Sequence, residues 1–433
     1  MDIDEPTTLP APHIPSQGAA RESASVGGPA PRATEPWLRL RTNSREALMA
    51  LPSDSDEEEE DEENFIRSTS LVPFPSSPNL SDYHLSRVIG EGSFGKVYVA
   101  CRRHDRHVCA MKVMAKADCV VSYLPEPLKT EAEILAQLDH PFIVRIEAAF
   151  QNNDYLFIGL QLVTNGDFCD YLEAYAPMST MNAQFYICQL VEALDYIHSQ
   201  DIVHGDLKPA NILISESGYI KLADFGQAQD ISGEGLSSAN TCFGTTHYMA
   251  PEMIAGTCFG PCNDWWALGV IMYQCLFARY PFDVDRTQRW NPRFYRDDLN
   301  RVKLLINAGR YEIPHAIDPP SLALLRRFLS HAPERRNVTG PQLRASHSYF
   351  RGVNWRDLVN RVYITPYAPP RPALNHDIQW DVDHSNQYLD RDVRTRDRYG
   401  GWFNHFHYVR TPWIVTKDGQ PPFRLPPSDT ADN

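Results

Sequence analysis

Four polar side chains in one stretch of the chain have the types and the order that transfer of a phosphoryl group requires. Asp206, Lys208 and Asn211 occupy a short segment between apolar runs in "IVHGDLKPANILI", and Asp224 follows eighteen residues after Asp206. A carboxylate at 206 can orient and deprotonate an attacking hydroxyl, and an ammonium at 208 can neutralise the group in transfer. The side chains of Asn211 and Asp224 supply the oxygen ligands that hard cations such as Mg²⁺ prefer. We therefore predict Asp206 and Lys208 as catalytic residues, and Asn211 and Asp224 as metal ligands.

A glycine-rich segment lies upstream, between two predicted strands. The glycines of "IGEGSFGKV" let the backbone approach phosphates closely, and the valine can cover an adenine ring. By itself the pattern is weak, because a strand bulge or a hairpin uses glycines in the same way. A dinucleotide-binding fingerprint leads from a strand into a helix, whereas here a second strand follows. The predicted nucleotide-binding residues of this segment are Gly90, Glu91, Gly92, Ser93, Phe94, Gly95 and Val97.

A lysine on the next predicted strand completes a set of phosphate-binding groups. Lys112 lies seventeen residues after Gly95, in an apolar run with Ala110. A lysine in such a strand usually extends to the surface and has a structural role. Combined with the glycine segment, it fits a catalytic lysine that holds nucleotide phosphates, with Ala110 in the same pocket. We predict Glu131, in the following helix, as its catalytic ion-pair partner; the competitor, Glu133, points about 200° away on the helical wheel.

The elements that position these residues are predicted from periodicity. "YHLSRVIGEGSFGKVYVACRR", "HVCAMKVM" and "YLFIGLQLV" are typical of strands, whereas "EPLKTEAEILAQL" and "NAQFYICQLVEALDYIHSQ" have helical spacing. Mainly helical segments follow to about residue 350. The predicted fold class is therefore α+β, with a small β-rich lobe before a larger α-helical lobe.

Composition divides the chain into a tail, a catalytic region and an extension. Residues 1–80 contain six Arg, no Lys and fifteen acidic residues, so this Pro- and Ser-rich segment accounts for −9 of the net charge of −14 and is expected to be disordered. The remainder is near −5, which argues against a nucleic-acid-binding surface. The acidic start is unlike a secretory signal, and no apolar stretch is long enough for a transmembrane helix. All nine cysteines lie between Cys101 and Cys275 without a CxxC pair, which favours reduced thiols and a cytoplasmic or nuclear location over a metal site or disulfides.

Taken in order, these motifs resemble a eukaryotic protein kinase across residues 83–350. The resemblance extends to Met249-Ala250-Pro251-Glu252 and to Arg336, which matches an arginine that forms a buried ion pair with that glutamate. Lys208 and Thr245 are similar to the serine/threonine type. The resemblance implies a bilobal fold, ATP and Mg²⁺ as cofactors, and protein substrates. It also places Leu160 as gatekeeper, Gln161–Val163 as the adenine-contacting hinge, and Gln161, Val163 and Asp167 among the nucleotide-binding residues.

The extension, residues 351–433, resembles that of the AGC group, which includes the cyclic-nucleotide-dependent kinases. "DWWALG" at 264–269, a P-x-x-P at Pro366 and Pro369, "DHSNQY" at 383–388 and "FNHFHY" at 403–408 carry this likeness. It implies that the tail docks on the small lobe of its own chain, with Phe403 and Phe406 in a groove. A plain disordered tail is the alternative, because short aromatic pairs arise often by chance. We expect a monomer.

Three departures from the family pattern concern control and specificity. Gly205 stands where the family usually has an arginine that grips a phosphorylated activation-loop residue, here Thr241, and Gln229 stands where a basic residue often follows. We hypothesise that activity does not depend on phosphorylation of Thr241. Ala210 replaces a glutamate that binds a substrate arginine, although Asp167 can supply one acidic contact. His407 replaces a phosphorylatable residue of the tail.

The sequence thus predicts a serine/threonine protein kinase that transfers the γ-phosphoryl group of ATP to protein substrates. The alternative is a pseudokinase scaffold that binds nucleotide without turnover, which would show degenerate catalytic positions. Lys112, Asp206, Asn211 and Asp224 are all present. The charged insert at 283–301 has no functional interpretation.

Overall fold

The fold is seen in a computed structural model, which describes residues 78–92, 95–121, 125–232, 244–283, 295–367, 389, 403 and 406–409. The predicted acidic tail up to residue 77, Thr241 and the 383–388 segment lie outside the described residues. The strands are β1 (Tyr83–Gly92), β2 (Gly95–Arg102), β3 (Val108–Ala115), β4 (Ile146–Gln151), β5 (Tyr155–Gln161), β6 (Ile202–Val203), β7 (Ile212–Ile214), β8 (Ile220–Leu222), β9 (Gln229–Asp230) and β10 (Tyr408–Val409).

Helices dominate the second half of the described chain, as the sequence predicts. They are α1 (Lys116–Val121), α2 (Pro125–Gln137), α3 (Phe168–Tyr175), α4 (Thr180–His198), α5 (Pro251–Ala255), α6 (Pro261–Phe277), α7 (Tyr295–Ala308), α8 (Pro319–Phe328), α9 (Pro333–Arg336), α10 (Gly340–Ser346) and α11 (Trp355–Val359). Short 3-10 helices occur at Leu80–Asp82, Pro209–Asn211, Thr246–Tyr248 and Ser348–Phe350. The predicted α+β class is confirmed. None of the described helices has the length and apolar character needed to cross a bilayer.

The small lobe is one antiparallel sheet with the order β1-β2-β3-β5-β4-β10. Its register places Val97 of β2 opposite Lys112 of β3, and Ala110 of β3 opposite Leu160 of β5. Directly opposed residues share a face, and so do residues two apart along a strand. Val97, Ala110, Lys112 and Leu160 therefore lie on one face of the sheet, as the predicted nucleotide pocket requires.

The large lobe is built around α4, eleven of whose residues are buried, and α6, which is buried on nearly all sides. Fifteen of the residues of α6 are buried, among them Trp265 and Trp266 at 0% exposure. A helix that is apolar all round belongs inside a large core, because it has no polar face to offer to solvent. Pro261 begins α6, and Ala278, with φ of 54°, ends it in the left-handed region. The two-stranded sheets β6–β9 and β7–β8 flank the segments of the candidate site, since Asp206 and Asn211 lie between β6 and β7 and Asp224 lies between β8 and β9.

Candidate active site

The ion pair predicted on the small lobe is formed, and it reaches the large lobe. The Lys112 ammonium lies 2.7 Å and 2.8 Å from the two carboxylate oxygens of Glu131, and 3.4 Å from Oδ1 of Asp224. Glu131 is 1% exposed, whereas the competitor Glu133 is exposed. Burial opposes the charge on Lys112, but the two carboxylates raise its pKa above the ordinary value. The lysine is therefore held as a cation at the point where β3, α2 and β8 converge.

The carboxylate of Asp206 accepts hydrogen bonds at both oxygens. Its Oδ2 accepts from Nζ of Lys208 at 2.6 Å and from Nδ2 of Asn211 at 3.4 Å. Its Oδ1 accepts from the backbone N–H of Thr245 at 3.0 Å and from the Thr245 hydroxyl at 3.2 Å. Lys208 also donates to the Thr245 hydroxyl at 3.1 Å. The side chain that the sequence predicts as a base is thus placed beside an ammonium, with its orientation fixed from two segments of chain.

The backbone of this loop is fixed by a buried aspartate of α6. Asp264, 1% exposed, accepts from the backbone N–H of His204 at 2.9 Å and from that of Gly205 at 3.0 Å. His198 of α4 contributes a third contact to the same carboxylate at 2.8 Å. Burial alone would raise the pKa of Asp264, but the hydrogen bond from His198 and the nearby His204 hold it below the ordinary value. An ionised carboxylate in the core therefore positions the residue immediately before the predicted base.

The two predicted metal ligands lie on neighbouring segments, because the backbone N–H of Ala223, next to Asp224, donates to the carbonyl of Asn211 at 2.8 Å. Asn211 donates through Nδ2 to the backbone carbonyl of Asp206 at 2.9 Å, which leaves its side-chain oxygen as the potential ligand. The side chain of Asp224 is 45% exposed, and its φ of 58° is in the left-handed region. Partial burial would raise the pKa of Asp224, but Lys112 and His204 hold it below the ordinary value. Two oxygen donors suit Mg²⁺, which commonly takes its remaining ligands from substrate phosphates and water.

The described glycines of this segment lie at the end of β1 and the start of β2. Gly92 pairs with Gly95 at its end, and Gly90 pairs with Val97. Gly95 has φ of 146°, and a Cβ at this position would lie 2.1 Å from the carbonyl oxygen of Val113. Only glycine permits this approach of the turn to β3. Ser93 and Phe94 lie outside the described residues.

The segment after β5 continues from the pocket to the large lobe. The backbone N–H of Gln161 donates to the carbonyl of Arg145 at 2.8 Å, and Val163 follows outside regular secondary structure. Asp167 caps α3, since its Oδ1 accepts from the backbone of Cys169 at 2.8 Å and of Asp170 at 3.2 Å. The cap occupies one oxygen of Asp167 and leaves Oδ2 for a ligand.

The predicted buried ion pair between Glu252 and Arg336 is also formed, at 0% exposure for the arginine side chain. Arg336 donates to the carbonyl of Cys262 at 3.1 Å and lies 5.2 Å from the ring of Trp266. Asn263 donates to Glu252 at 2.8 Å. These contacts connect α5, α6 and α9.

The tail contacts the small lobe at several described residues. Phe403 and Phe406 are 0% and 4% exposed, whereas His407 is exposed. Gln151 donates to the carbonyl of Phe403 at 2.7 Å, and β10 pairs with Ala148 and Ala149 of β4. Nζ of Lys116 lies 5.7 Å from the centre of the Phe403 ring, and Nδ2 of Asn152 donates to the carbonyl of Leu389 at 2.9 Å.

Several of these groups were missed by reasoning from sequence. Thr245 and Asp264 were used only as features of the resemblance, and nothing local in sequence indicates that they bond Asp206 and the backbone before it. Of the cysteines, Cys169 and Cys258 are exposed rather than buried, although all eight described ones are free thiols. The described residues hold no group of three or more His, Cys, Asp or Glu side chains arranged for a metal.

Comparison with known proteins places this arrangement in a family. The model of the family described as Protein kinase domain matches residues 83–350. Protein kinase 3 of Dictyostelium discoideum is 33% identical over 301 residues, covering 67% of this chain and 32% of that protein. Serine/threonine-protein kinase AtPK1/AtPK6 of Arabidopsis thaliana is 29% identical over 366 residues, covering 83% and 74%. The cGMP-dependent protein kinase of Toxoplasma gondii is 32% identical over 320 residues, covering 72% and 30%.

The chain therefore spans about a third of two of these relatives and about three quarters of the other. AGC-type kinases are among them, in agreement with the resemblance seen in the sequence. Because the family model covers more than half of the 433 residues, the chain belongs to the protein kinase family.

Proposed function

We propose that the chain is a serine/threonine protein kinase that transfers the γ-phosphoryl group of ATP, with Mg²⁺, to hydroxyl groups of protein substrates. The observation that carries the proposal is the environment of Asp206, whose carboxylate lies 2.6 Å from Nζ of Lys208 and also accepts from Thr245. The Lys112–Glu131 pair, which reaches Asp224, supports it. The relatives named as serine/threonine kinases and the Lys208–Thr245 contact support the choice of acceptor hydroxyl.

In the proposed reaction, the substrate oxygen forms a bond to the γ-phosphorus while the bond from that phosphorus to the β,γ-bridging oxygen breaks. Asp206 accepts the hydroxyl proton, and Lys208 neutralises charge on the group in transfer. The acceptor hydroxyl reaches Asp206 by replacing a long contact, such as the one of 3.4 Å from Asn211. Lys112, oriented by Glu131, holds the α- and β-phosphates.

Mg²⁺ bound by Asn211 and Asp224 would neutralise phosphate charge in this reaction. Nucleotide would lie under the glycine segment, Gly90–Gly95, against Val97 and Ala110 and beside Gln161 and Val163. The chain's own contribution is alignment and charge neutralisation rather than covalent catalysis. A pseudokinase without turnover is not favoured, because none of the positions that phosphoryl transfer uses is degenerate.

The test is transfer of γ-phosphate from ATP to a mixed peptide library by purified protein, compared with Asp206→Asn. We expect Mg²⁺-dependent labelling of serine and threonine that falls by at least about a hundredfold in the variant, since the base is lost while the shape is kept. Equal labelling by both proteins would reject the proposed function.

We further propose that the tail docks on the small lobe of its own chain and that the protein is a monomer. Burial of Phe403 and Phe406 supports docking, because burying each phenylalanine contributes about 1.5–3 kcal/mol. Phe403→Ala with Phe406→Ala should lower the melting temperature, and His407→Ala, at an exposed site, should not. A melting temperature that rises with protein concentration would instead indicate docking between two copies.

The free thiols also support the proposed cytoplasmic or nuclear location, which a fluorescent fusion would test.

A further inference from the structure

Gly205, the residue before the proposed base, is enclosed on two sides. Its φ is 76°, in the left-handed region. A Cβ built on it would lie 2.8 Å from the carbonyl oxygen of Gln227, and 3.2 Å and 3.4 Å from two ring atoms of Phe259. Glycine is needed here both for its backbone conformation and for the close approach of these neighbours.

Phe259 lies in the loop between α5 and α6 and is itself partly buried against the large-lobe core. Two hydrogen bonds fix this loop. The backbone N–H of Gly260 donates to Oδ1 of Asn263 at 2.7 Å, and Nδ2 of Asn263 donates to the carboxylate of Glu252 at 2.8 Å. Glu252 is paired with the fully buried Arg336. A continuous set of contacts therefore runs from the core ion pair to the ring that packs on Gly205.

Glycine has the largest conformational freedom of any residue, so its position must be fixed by neighbours rather than by its own side chain. Asp264 fixes the N–H of Gly205 from one side, at 3.0 Å. The ring of Phe259 occupies the direction that a side chain at 205 would take, since a built Cβ lies 3.2 Å and 3.4 Å from two of its atoms.

We infer that Phe259 is a positioning residue, which holds the catalytic loop through Gly205 and so keeps the Asp206 carboxylate aligned without phosphorylation of the activation segment. The inference rests on the proposed kinase function. Phe259 touches no reacting atom, and its effect reaches the substrate only through the backbone at 205–206.

The experiment compares Phe259→Ala and Phe259→Leu with Tyr311→Ala, a matched loss of a partly buried large-lobe aromatic that contacts Phe282 and Tyr273 rather than Gly205. We expect Phe259→Ala to lower kcat by about ten- to a hundredfold, as small misplacements of catalytic groups do, with the KM for ATP unchanged. Phe259→Leu should recover part of the loss. Tyr311→Ala should keep the kcat of the folded protein.

A double-mutant cycle with Gly205→Ala tests the contact itself. The added methyl group meets the ring of Phe259, so Gly205→Ala should reduce kcat by a smaller factor in the Phe259→Ala background than in the wild type. Amide hydrogen exchange of residues 203–207 should also become faster in Phe259→Ala, and this readout does not require activity. The inference would be overturned if the two substitutions lowered kcat by independent factors while amide hydrogen exchange at 203–207 stayed unchanged. It would also be overturned if Tyr311→Ala lowered kcat as much as Phe259→Ala. A wild-type protein without phosphate transfer would instead refute the proposed function and leave the exchange test standing.

Discussion

Removal of Arg336 should destabilise the large lobe more than any exposed charge would. The guanidinium is fully buried, donates to the carbonyls of Cys262 and Ser330, and pairs with Glu252. Arg336→Leu keeps an apolar group near Trp266. It leaves the Glu252 carboxylate in the core, where the amide of Asn263 is the remaining nitrogen donor among the described contacts. Breaking a buried pair from one side costs about 3–5 kcal/mol, because the remaining charge is uncompensated.

For a domain of this size, that loss corresponds to a fall in melting temperature of about 6–15 °C. Scanning calorimetry of the purified variants at one scan rate measures it. The matched variant is the double substitution Glu252→Gln with Arg336→Leu. It removes the carboxylate charge that Arg336→Leu leaves unpaired, so its melting temperature should be higher than that of Arg336→Leu. Exposed Arg335→Leu, on the same short helix, serves as the control and should shift the melting temperature by less than about 2 °C. If Arg336→Leu shifted it no more than Arg335→Leu, or if the double variant melted lowest of all, the reasoning about an uncompensated carboxylate would be wrong.

Three further predictions address the site. Lys112→Met should reduce phosphate transfer by at least about a hundredfold, since the cation between Glu131 and Asp224 is lost. The control Glu133→Ala, at an exposed position, should keep activity within about twofold of wild type in the same assay. Thr241→Ala, tested by kinase assay and circular dichroism on purified protein, should retain activity; a folded but inactive variant would refute the hypothesis that the chain does not need this phosphate. The pKa of Asp264 is depressed in the folded protein, so its contribution to stability is present above the unfolded value near 3.9 and is lost as the pH falls through the lower folded value. Asp264→Asn should therefore be less stable at pH 7 but lose less stability on acidification, and parallel acid-unfolding curves would contradict this.

Much of the site could be predicted because its residues lie in short motifs. Glu131 could be separated from Glu133 by helical phase alone, since residues two apart point to opposite sides of a helix, and the structure pairs Lys112 with Glu131. The strands around the glycine segment were predictable for a similar reason: their alternation and the turn between them are local features.

Other parts depend on contacts between residues distant in sequence. Thr245 bonds Asp206 across 39 positions, and Asp264 bonds Gly205 across 59. No periodicity or spacing links such pairs, because the approach is created by the packing of α6 beneath the loop. The same holds for β10, whose two residues acquire a strand conformation only by pairing with β4. The helix α11 was not predicted either, since five residues are too few to establish a helical period.

The glycine at 205 shows how a departure from a family pattern changes meaning once its surroundings are known. In sequence it is the loss of a phosphate-binding arginine. In the structure its left-handed backbone is held by Asp264 and its open side is closed by Phe259, so the loop has support where the arginine is missing. Charge-assisted hydrogen bonds need a charged partner, and position 205 supplies no cation. We therefore expect a phosphate at Thr241 to contribute little to aligning Asp206.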